Sequence, residues 1–333
     1  MPSVEIKTLA EEDYPLWDAF TEKTPQGSFF HRSEWANIIS MATDRPLRIL
    51  VCQRGDEILA GLMLFENSKW GFTMATPLPL FPFNGPLIRA MDDAGRHKAI
   101  ARTLKYSDAF ARFLMKHYHY WVIDTCIGFY DIRSFQWTGC QVQPVFTYQI
   151  KLNNNKDLWS GYNQGIRRKI KEAGNLGISI METTNIGNFI EMYQKSYHRH
   201  QMRPPADISL IEKILAMIIK LPQVKIYTAT SENKIISGRV IVLDQRVVYD
   251  LLAGSDDSTG LGAAYIVHHL LKKYSGTHHL FDFMGAGHRE IERFKRSFGG
   301  SLNLGFRVSG KADFPLSFML KLRKANLTRR RRL

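Results

Sequence analysis

The sequence predicts an α/β (α+β) protein of two similar units in tandem, each a mixed central sheet flanked by helices. Three observations predict it. The chain has 333 residues, too many for one ordinary core and well suited to two. Strand-like and helix-like segments alternate along its whole length. And one pattern recurs. ILVCQRGDEILAGLMLFE and VKIYTATSENKIISGRVIVLD share an apolar strand, a polar turn and a second apolar strand, with Ile58-Leu59-Ala60-Gly61 matched by Ile235-Ile236-Ser237-Gly238. The two glycines stand 177 positions apart (238 − 61), a spacing that fits a duplicated domain rather than a solenoid.

Element by element, VEIKTL reads as a strand and EEDYPLWDAF as a helix opened by acids. SFFHRSEWANIISM (28–41) reads as a helix that Ser33 could cap, with Ala36 in place of the usual capping-box glutamate. Residues 48–67 form two strands joined by Arg-Gly-Asp-Glu, a hairpin signal. PLPLFPFNGPLI (77–88) is too rich in proline for a central strand and reads as a shaped loop. A helix over 97–118 and a buried strand over 120–128 follow, and 134–155 is the transition to the second half. That half predicts a helix stopping at Gly174-Asn175 and a strand within 157–182. Helices over 185–201 and 209–221 are ended by Pro204-Pro205 and Pro222. Then come a strand–turn–strand (224–244), a strand (247–255), a helix (263–275) and a strand with a Gly-rich turn (279–287). The expected domains are 1–150, 151–322 and a basic tail, 323–333.

Composition narrows the function. With 44% hydrophobic and 23% charged residues the chain is globular rather than disordered. No apolar run reaches bilayer-spanning length. The start, MPSVEIKTLAEEDYPLW, carries acids where a signal peptide needs a basic flank, so a cytoplasmic protein is expected. Cys52, Cys126 and Cys140 lie far apart with no CxxC pair and read as core residues. His268-His269 and His278-His279 lack partners at ligand spacing, so no metal is expected. The net charge of +14 is lopsided. Residues 1–150 hold 15 basic and 16 acidic side chains, and 151–333 hold 30 and 15. A basic half implies an anionic partner: phosphate, nucleic acid or the anionic inner leaflet of a membrane, where the protein could sit peripherally.

Gly260-Leu261-Gly262-Ala263 opens a helix directly, so free N–H groups and the positive end of the helix dipole could meet a phosphate. FDFMGAGHREIERFKRSFGG (281–300) presents Asp282, Phe283 and Gly285, then Ile291, Phe294, Lys295, Phe298, Gly299 and Gly300. This resembles the C-terminal signature of FemAB-like proteins. LWSGYNQGIRRKIKEAGNLGI (158–178) resembles a second block of that family. SFFHRSEW (28–35) and FNGPLI (83–88) resemble its N-terminal elements.

The resemblance implies two tandem GNAT-like domains and transfer of an aminoacyl or acyl group to an amine of a cell-envelope precursor, UDP- or lipid-linked. It implies charged tRNA or acyl-CoA as co-substrate, with no tightly bound cofactor. The long helical arm of some members is missing. In GNAT acyl-CoA sites the Gly motif follows a basic residue or Gln; here Asp257 stands in that place and would repel a pyrophosphate. The implied catalytic residues are Lys295, holding a phosphate or the polarised carbonyl; Asp282, a base or a turn cap; and Tyr249, a proton donor. Gly260, Gly262 and Ala263 are implied to bind the donor. Arg167, Arg168, Lys171, Arg296, Trp35 and Asn84 are implied to bind substrate, with Arg167 and Lys171 sharing one helix face. The alternative within the class is an acyl-CoA-dependent N-acyltransferase acting on a polysaccharide or sugar-nucleotide amine; the rival from another class is a non-catalytic GNAT-like module that binds RNA or an anionic membrane.

Overall fold

The computed structural model describes residues 4–69, 71–90, 95–152 and 158–311. The tail expected at 323–333 lies outside them. The first half comprises β1 (Lys7–Thr8), α1 (Tyr14–Lys23), α2 (Ser33–Thr43), β2 (Leu47–Arg54), β3 (Glu57–Lys69), β4 (Phe72–Ala75), β5 (Leu87–Ile88), α3 (Arg96–His117), β6 (Tyr120–Asp124), α4 (Arg133–Trp137) and β7 (Gln141–Lys151). The second comprises α5 (Leu158–Gly161), α6 (Gln164–Asn175), β8 (Ser179–Thr183), α7 (Ile186–Arg199), α8 (Ile208–Ile218), β9 (Val224–Ser231), β10 (Lys234–Leu243), β11 (Val247–Ser255), α9 (Leu261–Tyr274), β12 (Leu280–Asp282), α10 (Arg289–Arg296) and β13 (Ser301–Lys311).

The predicted repeat is present, and packing explains its glycines. β2–β3 and β9–β10 are antiparallel hairpins, and each is followed by a strand pairing in parallel with a later one, β4 with β6 and β11 with β12. A Cβ on Gly61 would lie 2.4 Å from the Trp17 ring of α1, and one on Gly238 would lie 2.9 Å from the Phe189 ring of α7. Each hairpin thus gives up a side chain so that an aromatic ring can press onto its backbone.

The two halves share one sheet, in the order β1-β2-β3-β4-β6-β13-β7-β12-β11-β10-β9-β8. β13, last in the chain, pairs with β6 of the first half; β7, last strand of the first half, pairs with β12 of the second. Each half therefore completes its sheet with the other's final strand, and β7 and β13 pair antiparallel at the centre. Residues 134–155, expected as a transition between the halves, include this central strand β7, although it contains Pro144. Pro144 is tolerated because β12 reaches only Gln149–Lys151, so the proline's missing N–H faces a side with no partner there.

On one sheet face α1, α2, α7 and α8 share a single core, and Lys213 of α8 donates to the Ala42 carbonyl at 2.8 Å. On the other face α3 and α4 cover the first half, and α6 and α9 cover the second. Ser33 is not a cap. It lies inside α2, and its N–H and hydroxyl donate to Asp18 at 2.7 and 2.6 Å, tying α2 to α1. The three cysteines are buried and unpaired. Among the described residues no helix is long and apolar enough to cross a membrane.

Candidate active site

β11 and β12 run side by side for three residues only, Val247–Tyr249 against Leu280–Asp282. β11 then continues to Ser255 along β10, while the other chain turns away through Met284 (φ 53°) and Gly285 (φ 95°). The two strands part like a fork, and the last paired residues are Tyr249 and Asp282.

Residues expected to be catalytic converge here. Asp282, almost wholly buried, accepts from Thr147 Oγ1 (2.6 Å), Gln149 Nε2 (2.7 Å) and Met284 N (2.8 Å). The last bond is the turn cap the sequence suggested. Burial raises its pKa above the usual carboxylate range, against the opposing pull of those hydrogen bonds and of Lys295. Tyr249 is buried against Phe30, with ring centroids 4.9 Å apart. Burial and the nearby carboxylates of Asp244 and Asp282 keep its phenol protonated. Lys295 lies behind the fork, and its ammonium donates to the carbonyls of Phe283 (2.6 Å), Met284 (3.4 Å) and Gly285 (2.6 Å). All three of its protons thus serve the chain itself. The expected direct grip on a phosphate or substrate carbonyl gives way to a clamp that holds the diverging arm of the fork. Deeper still, Arg239 and Asp250 form a buried ion pair, with Arg239 over the Phe294 ring.

Tyr249 and Asp282 face a cavity of about 310 Å³ between the two halves, also lined by Ser28, Phe29, Phe83, Asp244, Arg32 and Arg246. The first half supplies its wall through residues 21–32, and the Phe29 N–H donates to Asp244 at 3.1 Å. Burial raises the Asp244 pKa, while Arg32 and Arg246 pull it down. Two desolvated carboxylates beside aromatic rings suit a primary ammonium. Asp244, Gln149 and the 21–32 segment were missed by the sequence reading. Apart from residues 28–32, which belong to the SFFHRSEW element, they carry no motif, and only the fold brings them together.

Other expected positions lie elsewhere. Trp35 is fully buried, donates from its indole to the Leu80 carbonyl (3.1 Å) and packs on Phe30. It supports the ring that supports Tyr249 and cannot touch substrate. Asn84 is also structural. Its side chain donates to the Met63 carbonyl (3.1 Å) and accepts from the Asp124 N–H (2.6 Å). It thereby bridges the spot where β4 and β6 part, and the first half's fork is closed. Asn84→Ala orphans two buried backbone groups, and urea denaturation should show a loss of about 2–4 kcal/mol. Arg296 is exposed and paired with Glu292 at 2.8 Å. Arg168 and Lys171 are exposed and Arg167 is half-buried on α6, which packs against α9. His268 is bonded to the Tyr162 hydroxyl (3.2 Å), and burial pushes its pKa down to about 4. Among the described residues no group of three His, Cys, Asp or Glu could hold a metal.

The Gly260-Leu261-Gly262-Ala263 segment opens α9 as expected, but an anion already takes one of its amides. Asp257 accepts from Thr259 N (2.7 Å) and Gly262 N (2.9 Å).

No family model matches the chain, and no curated protein matches it in sequence. Solved structures match it in shape. FemX superposes over 90% of this chain and 96% of its own, with a TM-score of 0.66 at 14% identity. A tandem GNAT protein from the clavulanic acid biosynthesis pathway superposes over 94% and 99%, with a TM-score of 0.53 at 10% identity. The chain has a tandem GNAT fold. L-PGS from Bacillus licheniformis shares this fold too, over 95% of this chain and 97% of its own, with a TM-score of 0.54 at 11% identity. The duplicated hairpins of this chain are in keeping with a tandem fold.

Proposed function

We propose that this chain is an acyltransferase that moves an aminoacyl group from charged tRNA to an amine on a cell-envelope precursor. One observation carries the reading: Tyr249 and Asp282 stand side by side at the fork of β11 and β12, facing a cavity that suits an ammonium. The FemAB-like motifs that place Asp282 and Lys295 and the likeness in fold to FemX support it.

The chemistry needs little covalent machinery. The acceptor enters as an ammonium and must lose a proton before its nitrogen attacks the ester carbonyl. Asp282, ionised, receives that proton. Tyr249, protonated, donates to the oxygen that gains charge as the carbonyl becomes tetrahedral. The C–N bond forms, the C–O bond to the tRNA ribose breaks, and the leaving oxygen takes the second proton that the attacking nitrogen sheds. The buried fork aligns the two reactants.

The test is a transfer assay with charged tRNA and a UDP-linked muropeptide, the product read by mass. The expected product is the acceptor plus one aminoacyl residue, and Tyr249→Phe is expected to slow its formation by about 10²–10³-fold. Transfer from acyl-CoA alone would replace tRNA as donor. Binding of uncharged RNA or anionic vesicles with no transfer from either donor would make the chain a non-catalytic module.

A further inference from the structure

We infer that Asp257 is a specificity residue: its carboxylate stands in for the donor's pyrophosphate at the start of α9 and so excludes CoA-type donors from the fork. The inference rests on the acyltransferase reading of that fork and adds the basis of donor choice.

The start of α9 follows β11 through residues 256–260, beyond the end of β11 that has left β12. A donor with an internal pyrophosphate needs the amides of the first turn free and a cation in support. The first condition fails at Gly262, and the charge of Asp257 offsets the second. Asp257 takes the Gly262 N–H at 2.9 Å and the Thr259 N–H at 2.7 Å, and the Thr259 hydroxyl as well. Those bonds hold the carboxylate ionised, against its partial burial. Lys169 of α6, the cation that reaches this turn, gives one proton to the Thr259 carbonyl and faces the Asp257 charge already seated there. The turn is also packed from below, because a Cβ on Gly262 would lie 2.7 Å from the Ile236 side chain. A pyrophosphate would have to displace a tethered anion from its own donors and then face its charge at contact distance. A donor esterified to the 3′-terminal ribose of an RNA is linked through phosphodiesters, has no pyrophosphate and meets no such conflict.

Two substitutions separate charge from shape. Asp257→Asn keeps an oxygen for the Thr259 N–H but turns an amide donor toward Gly262, freeing that N–H. Asp257→Gln carries the residue type expected in a pyrophosphate-binding turn. Both full-length proteins, and the wild type, are titrated with CoA and separately with inorganic pyrophosphate by calorimetry, after their melting temperatures are compared. The wild type is expected to show no CoA binding up to about 1 mM, and at least one variant to bind at least about tenfold more tightly. Sub-millimolar CoA binding by the wild type overturns the inference. So does CoA silence in both variants while they melt normally. A gain with pyrophosphate but not CoA also overturns it, because the block would then lie elsewhere along the donor path. Transfer from charged tRNA is read separately in the wild type: its absence sinks the functional proposal while leaving the CoA result to stand or fall alone.

Discussion

Lys295→Ala is expected to lower transfer by about 10²–10³-fold and stability by about 3–5 kcal/mol. The ammonium fills a niche of three converging carbonyls, from Phe283, Met284 and Gly285, on a turn that includes a non-glycine residue at positive φ. Removing it leaves those oxygens unpaired next to the buried Asp250, whose Oδ1 already lacks a protein partner. The turn should then relax, carrying Asp282 and the arm of the fork with it. Small alkylammonium ions should restore part of the activity of the alanine variant by filling the niche, and Lys295→Met, whose side chain occupies it, should not be rescued. Full activity in Lys295→Ala would refute the clamp. The pH profile gives a second readout. Burial pushes the Lys295 pKa down from 10.5 to about 8; Arg239 adds to the shift, while Asp250 and Asp282 oppose it. A lowered lysine pKa means the proton leaves earlier as pH rises. Above about pH 8 two N–H groups must serve three carbonyls, so transfer should fall there with a log–log slope near −1.

Much of the fold is legible in the sequence because its signals are local. The hairpins carry alternating apolar residues around polar turns, and the Ala60-Gly61 and Ser237-Gly238 pairs betray the duplication. What sequence hides is the exchange of final strands. β7 contains Pro144 and β13 contains Gly305, and neither looks like a central strand alone. Each becomes one only because it pairs with the other and with a strand from the opposite half. That pairing is non-local, with Ser301 opposite Gln149 and Ser309 opposite Gln141.

The site divides the same way. Asp282, Lys295 and the start of α9 sit in motifs and could be named from sequence. Their contacts could not. Lys295 faces inward to carbonyls because α10 folds back onto the turn it follows, burying the one lysine of that short helix. Trp35 and Asn84 misled because a motif residue can be retained for architecture. One backs the ring behind Tyr249, and the other seals the fork of the first half. Asp244 and residues 21–27 carry no pattern, the SFFHRSEW element gave no hint that residues 28–32 wall the cavity, and all enter only through the shared core of the two halves.

Asp282→Asn is expected to cut kcat by about 100-fold or more while leaving the melting temperature within a few degrees. The reason lies in its hydrogen bonds. Oδ1 accepts from both Thr147 Oγ1 and Met284 N, a role that the asparagine oxygen can keep. Oδ2 faces only Gln149 Nε2, and a flip of the Gln149 amide presents its oxygen to the new NH₂ group instead. Shape and satisfaction survive, and only the charge is lost. If Asp282 were a turn cap alone, the asparagine would cap as well and activity would persist. If it takes the proton of the acceptor ammonium, activity collapses without unfolding. In the wild type a buried carboxylate with a raised pKa must ionise before it can act, so transfer should climb as pH rises through that pKa. Together with the loss above about pH 8 from Lys295, this gives a bell. The residual activity of Asp282→Asn should keep the alkaline limb and lose the acid one, an outcome that assigns the two limbs to separate residues of the same fork.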